Sequence, residues 1–169
     1  MRITEVALTD IKSYENRTVI PIEGGVTAIL GENGAGKSTI QEAIGFALFD
    51  SLPFNNKDFV REGATSGTVE VTFEQETQDG TQQFRVTRSA GRSDYGVHRY
   101  APDEDAWIDQ DIDSKSELVR WLCARFDVED GDELQSLWES CIGVPQTRFL
   151  SDFAQTAANR TQTFDALLN

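Results

Sequence analysis

The chain has 169 residues, which is enough for one domain with a substantial core. Its 29 acidic and 15 basic residues give a formal net charge of −14, which argues against broad electrostatic attraction to nucleic acid, although salt screening still permits a local basic strip. Two cysteines outside any CxxC pair and a single histidine argue against a zinc site. The longest apolar run is too short to span a membrane and no signal peptide is recognised, so a cytoplasmic protein without membrane contact is expected.

Lysine is scarce in this acidic chain. The lysines among the 15 basic residues are Lys12, Lys37, Lys57 and Lys115. An excess of Asp and Glu with so little lysine favours a high-salt cytoplasm, such as that of the haloarchaea. The alternative is an acidic protein whose charge serves solubility.

Folding is expected to depend on salt. The net charge of −14 implies self-repulsion, which is screened beyond about 10 Å at 0.1 M salt and beyond about 3 Å at 1 M. Circular dichroism in low salt should therefore show a loss of structure that molar KCl restores. A melting temperature that does not change with salt would contradict this expectation.

Three strands are predicted before residue 31. Residues 2–9 alternate between apolar and polar side chains, and residues 17–22 do so after a polar turn at 10–16. Residues 26–30 form a short apolar run suited to a buried parallel strand.

A glycine-rich loop follows the third predicted strand. Residues Gly31 to Thr39 read GENGAGKST, which fits the P-loop pattern GxxxxGK[ST]. From Ser38 to about Asp50, apolar residues recur with helical spacing, which predicts a helix with one apolar face. Strand, glycine loop and helix are the context that this motif requires, so nucleotide binding is predicted. The alternative is a glycine-rich turn before an ordinary helix.

The residue types of this loop suit a triphosphate. Glycines let successive backbone N–H groups turn toward phosphate oxygens, and a helix N-terminus adds unpaired donors and partial positive charge. Lys37 is expected to reach the β- and γ-phosphates, and Ser38 to place its hydroxyl on Mg²⁺. Asn33 either hydrogen-bonds a bridging phosphate oxygen or is only a turn residue.

The middle of the chain is predicted to be β structure. After a polar loop at 55–67, residues 68–74 and 83–89 alternate around an Asp-Gly turn signal, which predicts a hairpin. Shorter strands are expected at 95–100 and 106–108.

The last third is predicted to be mostly helical. Ser114 and Glu117 form a capping box that opens a helix, and Asp132 is expected to cap another. Residues 142–146 are expected to be extended, whereas 148–153 and 159–168 are expected to be helical.

Two motifs of P-loop ATPases are absent from the chain. No run of four apolar residues ends in Asp-Glu, which would supply a second magnesium carboxylate and a base for the attacking water, and no segment resembles LSGG. In-line attack on the γ-phosphate needs an oriented water and charge stabilisation in addition to a P-loop. The isolated chain is therefore expected to bind nucleotide without hydrolysing it.

Together these segments resemble the N-terminal lobe of an SMC-like ATPase head, most closely the DNA double-strand-break repair ATPases of the Rad fifty family. The turn Ile11–Tyr14 resembles that family's NFRS-type turn, and Gly31–Ile44 resembles its NGxGKSSxxDAI segment. Residues 60–64 resemble the segment that reaches back to the nucleotide, and residues 144–168 resemble the Q-loop and the approach to a coiled coil. An arginine is usual where Lys12 stands, which leaves a stacking or bidentate contact there open.

The resemblance implies an α/β fold of the P-loop NTPase class, as in an ABC/SMC-type head, with a mixed sheet and an antiparallel β hairpin packed on the P-loop helix. Residues 1–169 would form the N-terminal lobe, with a strand–P-loop–helix core at 1–50, a β subdomain at 68–110 and a helical part containing the Q-loop at 114–169. The expected cofactors are ATP and Mg²⁺. The expected partners are the C-terminal lobe of the same ATPase, a second head that dimerises on ATP, a DNA-repair nuclease and DNA.

The resemblance also implies roles for individual residues. Lys37 and Gln146 are the expected catalytic residues, and Gln146 would complete the coordination of Mg²⁺ beside Ser38 and sense the γ-phosphate. The alternative for Gln146 is an ordinary polar loop residue. The expected nucleotide contacts are Lys12, Asn33, Gly34, Ala35, Gly36, Lys37, Ser38, Thr39, Val60, Arg61 and Glu62.

Three other functions stay open. The chain could be the head lobe of another SMC-like chromosome or recombination ATPase, a small-molecule kinase, or the nucleotide-binding domain of a transporter. A kinase would need an Arg-rich lid, and the sequence shows none. A transporter domain usually has an adenine-stacking aromatic residue before the P-loop, for which Tyr14 is the one candidate.

Overall fold

A computed structural model of the chain describes residues 1–78 and 80–143. In these residues six strands form one sheet in the order β2-β1-β3-β4-β5-β6, and every neighbouring pair is antiparallel. The elements are β1 (Arg2–Thr9), β2 (Thr18–Pro21), α1 (Lys37–Phe49), a short 3₁₀ helix (Asn56–Phe59), β3 (Gly67–Thr77), β4 (Gly80–Ala90), β5 (Tyr95–Ala101), β6 (Ala106–Asp109), α2 (Lys115–Phe126), α3 (Gly131–Leu137) and a π-helical turn (Trp138–Ile142).

The predicted hairpin is confirmed as β3 and β4. Their register pairs Val71 with Val86 and Phe73 with Phe84, and all four side chains are fully buried. Alternate residues of a strand point to opposite faces, so these four share the face that packs on the helices. The alternation seen in the sequence therefore marks one buried face and one partly solvated face of the sheet.

Helix α1 lies at the centre of the core. Its buried side chains include Ala43, Phe46 and Ala47, and Phe46 meets Phe59 edge-on with ring centroids 5.5 Å apart. The helix begins after Gly36 and ends at Asp50, which adopts the left-handed conformation. This agrees with the helix predicted from Ser38 to about Asp50.

The prediction of a strand at residues 26–30 is wrong. These residues belong to no strand, and the side chains of Val26 and Leu30 are 97% and 90% exposed. An apolar run becomes a buried strand only when a neighbouring strand accepts its backbone hydrogen bonds, and the sheet formed by the described residues offers none at this position. The predicted α/β class is confirmed, but the sheet seen here is antiparallel throughout and not mixed.

The helical end of the described chain follows its capping signals. Ser114 Oγ accepts a hydrogen bond from the Glu117 backbone N–H at 3.3 Å, as the capping box predicts. The next helix is capped by Asp130 and not by Asp132, because Asp130 Oδ1 accepts from the N–H groups of Asp132 and Glu133, each at 3.0 Å. Ile142, predicted to be extended, lies in the π-helical turn, and the predictions for residues 144–168 fall outside the described residues.

A buried arginine fixes the end of α1. Arg88 on β4 is 4% exposed, and its guanidinium donates to the Phe46 carbonyl at 2.6 Å and to the Asp50 carboxylate. Lys115 Nζ reaches the other oxygen of Asp50 at 2.7 Å. One carboxylate therefore joins β4, the end of α1 and the start of α2.

Gly45 makes room on α1 for Trp138. A Cβ at position 45 would lie 2.5 Å from Trp138 Nε1. The indole is 8% exposed and stacks on Phe49 with ring centroids 4.9 Å apart. The π-helical turn that Trp138 begins is thus packed directly on the helix that follows the P-loop.

No helix among the described residues is long and apolar enough to cross a membrane.

Candidate nucleotide-binding site

A pocket of about 420 Å³ opens at the N-terminus of α1, beside the turn between β1 and β2. It contains residues from both segments, because the turn packs against the glycine loop. The lining residues are Lys12, Ser13, Asn33, Gly34, Gly36, Lys37, Ser38, Thr39 and Glu42. Seven of the predicted site residues therefore meet around one cavity.

The glycine loop has the backbone geometry that an anion site needs. Gly34 and Gly36 have φ values of 84° and 89°, which are favourable for glycine and strained for other residues. A Cβ at Gly36 would also overlap Ser13 Oγ. No side chain in the described part of the chain caps α1. The Thr39 N–H donates to the Gly36 carbonyl at 3.1 Å, which leaves the first-turn N–H groups of Lys37 and Ser38 for a ligand.

Lys37 folds back over the loop that precedes it. Its Nζ donates to the carbonyl oxygens of Gly31 at 2.8 Å and Glu32 at 2.7 Å. These two neutral acceptors hold the ammonium beside the cavity. A phosphate oxygen would be a stronger acceptor for the same donor.

Tyr14 braces the loop from the other side. Its hydroxyl donates to the Gly36 carbonyl at 3.2 Å, and its ring lies where a Cβ of Gly36 would stand. Burial raises the pKa of Tyr14, so the phenol stays protonated and keeps its donor. Paired backbone hydrogen bonds between Ile11 and Tyr14 close the turn. Tyr14 is therefore a support of the P-loop in this structure.

Lys12 enters the pocket from the same turn. Its φ of 44° is left-handed, and its N–H donates to the Phe59 carbonyl at 3.1 Å. Its Nζ lies 2.8 Å from Glu42 Oε2 and 3.9 Å from the centroid of the Phe54 ring. The predicted nucleotide contact thus already has an anionic and an aromatic partner.

The segment 60–62 does not reach this pocket. Val60 forms a β-bridge with Ile11, the Arg61 N–H donates to the Asp10 carbonyl at 2.9 Å, and Arg61 pairs with Glu15 at 3.1 Å. The segment therefore holds the turn that presents Lys12. Glu62 is exposed, and a nucleotide contact for these three residues stays a prediction.

The donor set suits Mg·ATP as far as the described residues go. Ser38 is exposed on the first turn of α1 and lines the cavity, whereas the Thr39 side chain is buried at the cavity wall. A hydroxyl beside free helix N–H groups and an ammonium is the donor chemistry that a metal-bound triphosphate requires. Ala35 belongs to the loop but does not line the pocket, and Gln146 lies outside the described residues.

Two lining residues were not predicted from the sequence. Ser13 neighbours Lys12, so its place follows from the turn. Glu42 stands four residues after Ser38, and this i, i+4 spacing puts both on one side of α1. The spacing was a usable signal for Glu42.

A larger groove of about 840 Å³ lies between α2, α3 and the end of α1, away from this loop. Its lining includes Asp50, Lys115 and Cys123, and it contains none of the predicted site residues. The chemistry-bearing loop therefore belongs to the smaller cavity.

The chain is similar to proteins of known families. A family model described as AAA domain matches residues 5–161. The DNA double-strand break repair Rad50 ATPase of Methanocaldococcus jannaschii is 43% identical over 75 residues, which are 44% of this chain and 7% of that protein. The protein of the same name from Saccharolobus solfataricus is 32% identical over 132 residues, covering 71% of this chain and 15% of that protein. The chain thus spans a small part of the length of these relatives.

The same fold occurs in a solved structure from "Structural biochemistry of ATP-driven dimerization and DNA stimulated activation of SMC ATPases". The alignment covers 99% of this chain and 99% of that chain, with a TM-score of 0.67 and 20% sequence identity. The Rad50 relatives and the family model confirm the predicted resemblance to the N-terminal lobe of a Rad50- or SMC-like ATPase. With the family model matched over residues 5–161, the chain belongs to the AAA domain family.

Proposed function

We propose that this chain is the Mg·ATP-binding lobe of an SMC-like ATPase head that acts in DNA double-strand-break repair. The observation that carries the proposal is the cavity at the N-terminus of α1. There the uncapped helix N–H groups, the Lys37 ammonium and the Ser38 hydroxyl surround one space of about 420 Å³. The names of the Rad50 relatives supply the repair context.

The roles proposed for the residues follow from their donors. The N–H groups of Gly34, Gly36, Lys37 and Ser38 bind the phosphates, whereas those of Ala35 and Thr39 donate to backbone carbonyls of the loop. Lys37 exchanges its loop carbonyls for phosphate oxygens. Ser38 and Gln146 hold Mg²⁺, which neutralises phosphate charge when it is bound. Lys37 and Gln146 are the proposed catalytic residues of the complete head.

A second lobe completes the head in this proposal. Val26 and Leu30 expose nearly their whole apolar side chains next to the P-loop, and Ile29 is 40% exposed. A C-terminal lobe of the same ATPase that adds a strand beside residues 26–30 would cover these side chains and satisfy their backbone groups. That lobe would also bring the acidic pair and the signature segment that this chain lacks.

The wider assembly is proposed from the family alone. Two heads would dimerise around ATP, and the dimer would work with a nuclease on DNA. The structural neighbour comes from work on ATP-driven dimerization and DNA stimulated activation of SMC ATPases, which supports this part of the proposal by analogy.

The isolated chain is expected to bind Mg·ATP but to release phosphate at the background rate. It offers ground-state contacts through Lys37 and the loop N–H groups, and binding of the ground state alone does not accelerate chemistry. The measurement is phosphate release from the 169-residue chain, alone and mixed with its C-terminal half.

Turnover should appear only in the mixture and should disappear there when Lys37 is replaced by alanine. If the isolated chain released phosphate above background and Lys37→Ala abolished that activity, the proposal would be contradicted. Such a result would reveal a catalytic carboxylate within the 169 residues. Failure of the isolated chain to bind Mg·ATP would refute the nucleotide-binding function itself.

A further inference from the structure

We propose that Glu42 limits the affinity of the nucleotide site by holding Lys12 in an ion pair that has to break when a triphosphate binds. The inference rests on the proposed nucleotide-binding function and names a regulatory residue of the same pocket. Glu42 would act through Lys12 and not by touching the reacting atoms.

The geometry places the pair inside the pocket. Lys12 Nζ and Glu42 Oε2 are 2.8 Å apart, with side-chain exposures of 31% and 22%. Both residues line the cavity that contains Lys37 and Ser38. The ammonium therefore stands at the phosphate site while it is paired with a carboxylate of the protein.

The Lys12–Glu42 ion pair lowers the affinity of the pocket for an anionic ligand through its charges. Lys12, Lys37 and Glu42 are the charged residues among the nine that line the cavity, which leaves one net positive charge. A triphosphate would find one lysine already neutralised and a carboxylate nearby. Partly buried charges interact more strongly than exposed ones, because water and salt screen them less.

The backbone of Lys12 is fixed, whereas its side chain can move. The N–H of Lys12 is bound to Phe59, and the neighbouring residues Ile11 and Tyr14 close the turn with two hydrogen bonds. The four-carbon stem of a lysine can therefore turn its ammonium from Glu42 to another acceptor in the same cavity without moving the loop. The ring of Phe54, 3.9 Å from Nζ, stabilises the paired position.

A double-mutant cycle tests whether Lys12 leaves Glu42 when the triphosphate binds. The affinity for Mg·ATP is measured by calorimetry for the wild-type chain, Glu42→Gln, Lys12→Met and the double variant, at the lowest KCl concentration that keeps all four folded by circular dichroism. Glu42→Gln keeps the shape of the side chain and frees Lys12. It is expected to tighten binding about 10-fold in the wild-type background and about 2-fold or less in the Lys12→Met background, because only the first gain includes release of the pair.

Equal gains in the two backgrounds would overturn the proposal, since they would mean that the pair persists in the bound state. No gain from Glu42→Gln in the wild-type background would overturn it as well. Glu104→Gln makes the same change in net charge on an exposed turn outside the pocket, and its affinity should match that of the wild type. A wild-type chain that binds no Mg·ATP would instead refute the proposed function, so the two failures are distinguishable.

Discussion

Replacing Lys37 with alanine is expected to weaken Mg·ATP binding at least about 100-fold, which calorimetry would record as no detectable binding. The ammonium now donates two hydrogen bonds, at 2.8 and 2.7 Å, to the loop carbonyls of Gly31 and Glu32. Hydrogen bonds to charged partners contribute about 1.5–3 kcal/mol each, and about 2.7 kcal/mol corresponds to 100-fold in affinity. Losing this cation at the phosphates therefore removes most of the binding free energy that one side chain can supply.

A second lysine provides the control for this loss. Lys115 is half-exposed, lines the other groove and pairs with Asp50, so Lys115→Ala removes the same charge without touching the P-loop. Its affinity for Mg·ATP should equal that of the wild type. Both variants should melt within about 2 °C of the wild type, because neither lysine side chain is buried. An unchanged affinity for Mg·ATP in Lys37→Ala would contradict the assignment of the nucleotide site to this loop.

Replacing Arg88 with methionine is expected to destabilise the fold by roughly 3 kcal/mol, because the change removes one partner of a buried charged network. Arg88 is 4% exposed and donates to the Phe46 carbonyl and to Asp50, while Lys115 stays on the same carboxylate. In a chain of this size the loss corresponds to a fall in melting temperature of about 6–12 °C. Thermal unfolding followed by circular dichroism in molar KCl would measure it.

Two further variants separate the network from general charge effects. Arg92 pairs with Asp94 at the surface, with exposures of 58% and 52%, so Arg92→Met should change stability by less than about 1 kcal/mol. Adding Asp50→Asn to Arg88→Met should recover part of the lost stability, because the charged carboxylate that had paired with Arg88 is then replaced by a neutral amide. Equal melting temperatures for Arg88→Met and Arg92→Met would show that the buried network contributes nothing.

The parts of the fold that depend on local pattern could be predicted from the sequence. The alternation of apolar and polar residues predicted β1, β3 and β4, since the apolar residues of such a strand lie on the one face that becomes buried. Helical spacing predicted α1, and the Ser114 capping box predicted the start of α2. The P-loop pattern predicted most of the pocket, because its residues are adjacent in the chain and need no tertiary information to come together.

The parts that depend on distant contacts could not be predicted. Residues 26–30 are apolar enough for a buried strand, but their burial needs a neighbouring strand that the described residues do not provide. Arg88 sits at an alternating position, yet only the tertiary structure shows that α1 offers it a carbonyl and a carboxylate. Likewise, nothing local reveals that Lys12 turns toward Glu42, because the two residues meet only when the first turn packs against α1.

The contact between Gly45 and Trp138 has a consequence for how this sequence can vary. The indole occupies the space of the missing Cβ, so alanine at position 45 requires a smaller side chain at position 138. Conversely, a smaller side chain at 138 alone would leave a cavity beside Phe49. The two positions are therefore expected to covary among proteins with this fold, and a graft of the turn Trp138–Ile142 onto another head lobe would need to carry the helix glycine with it.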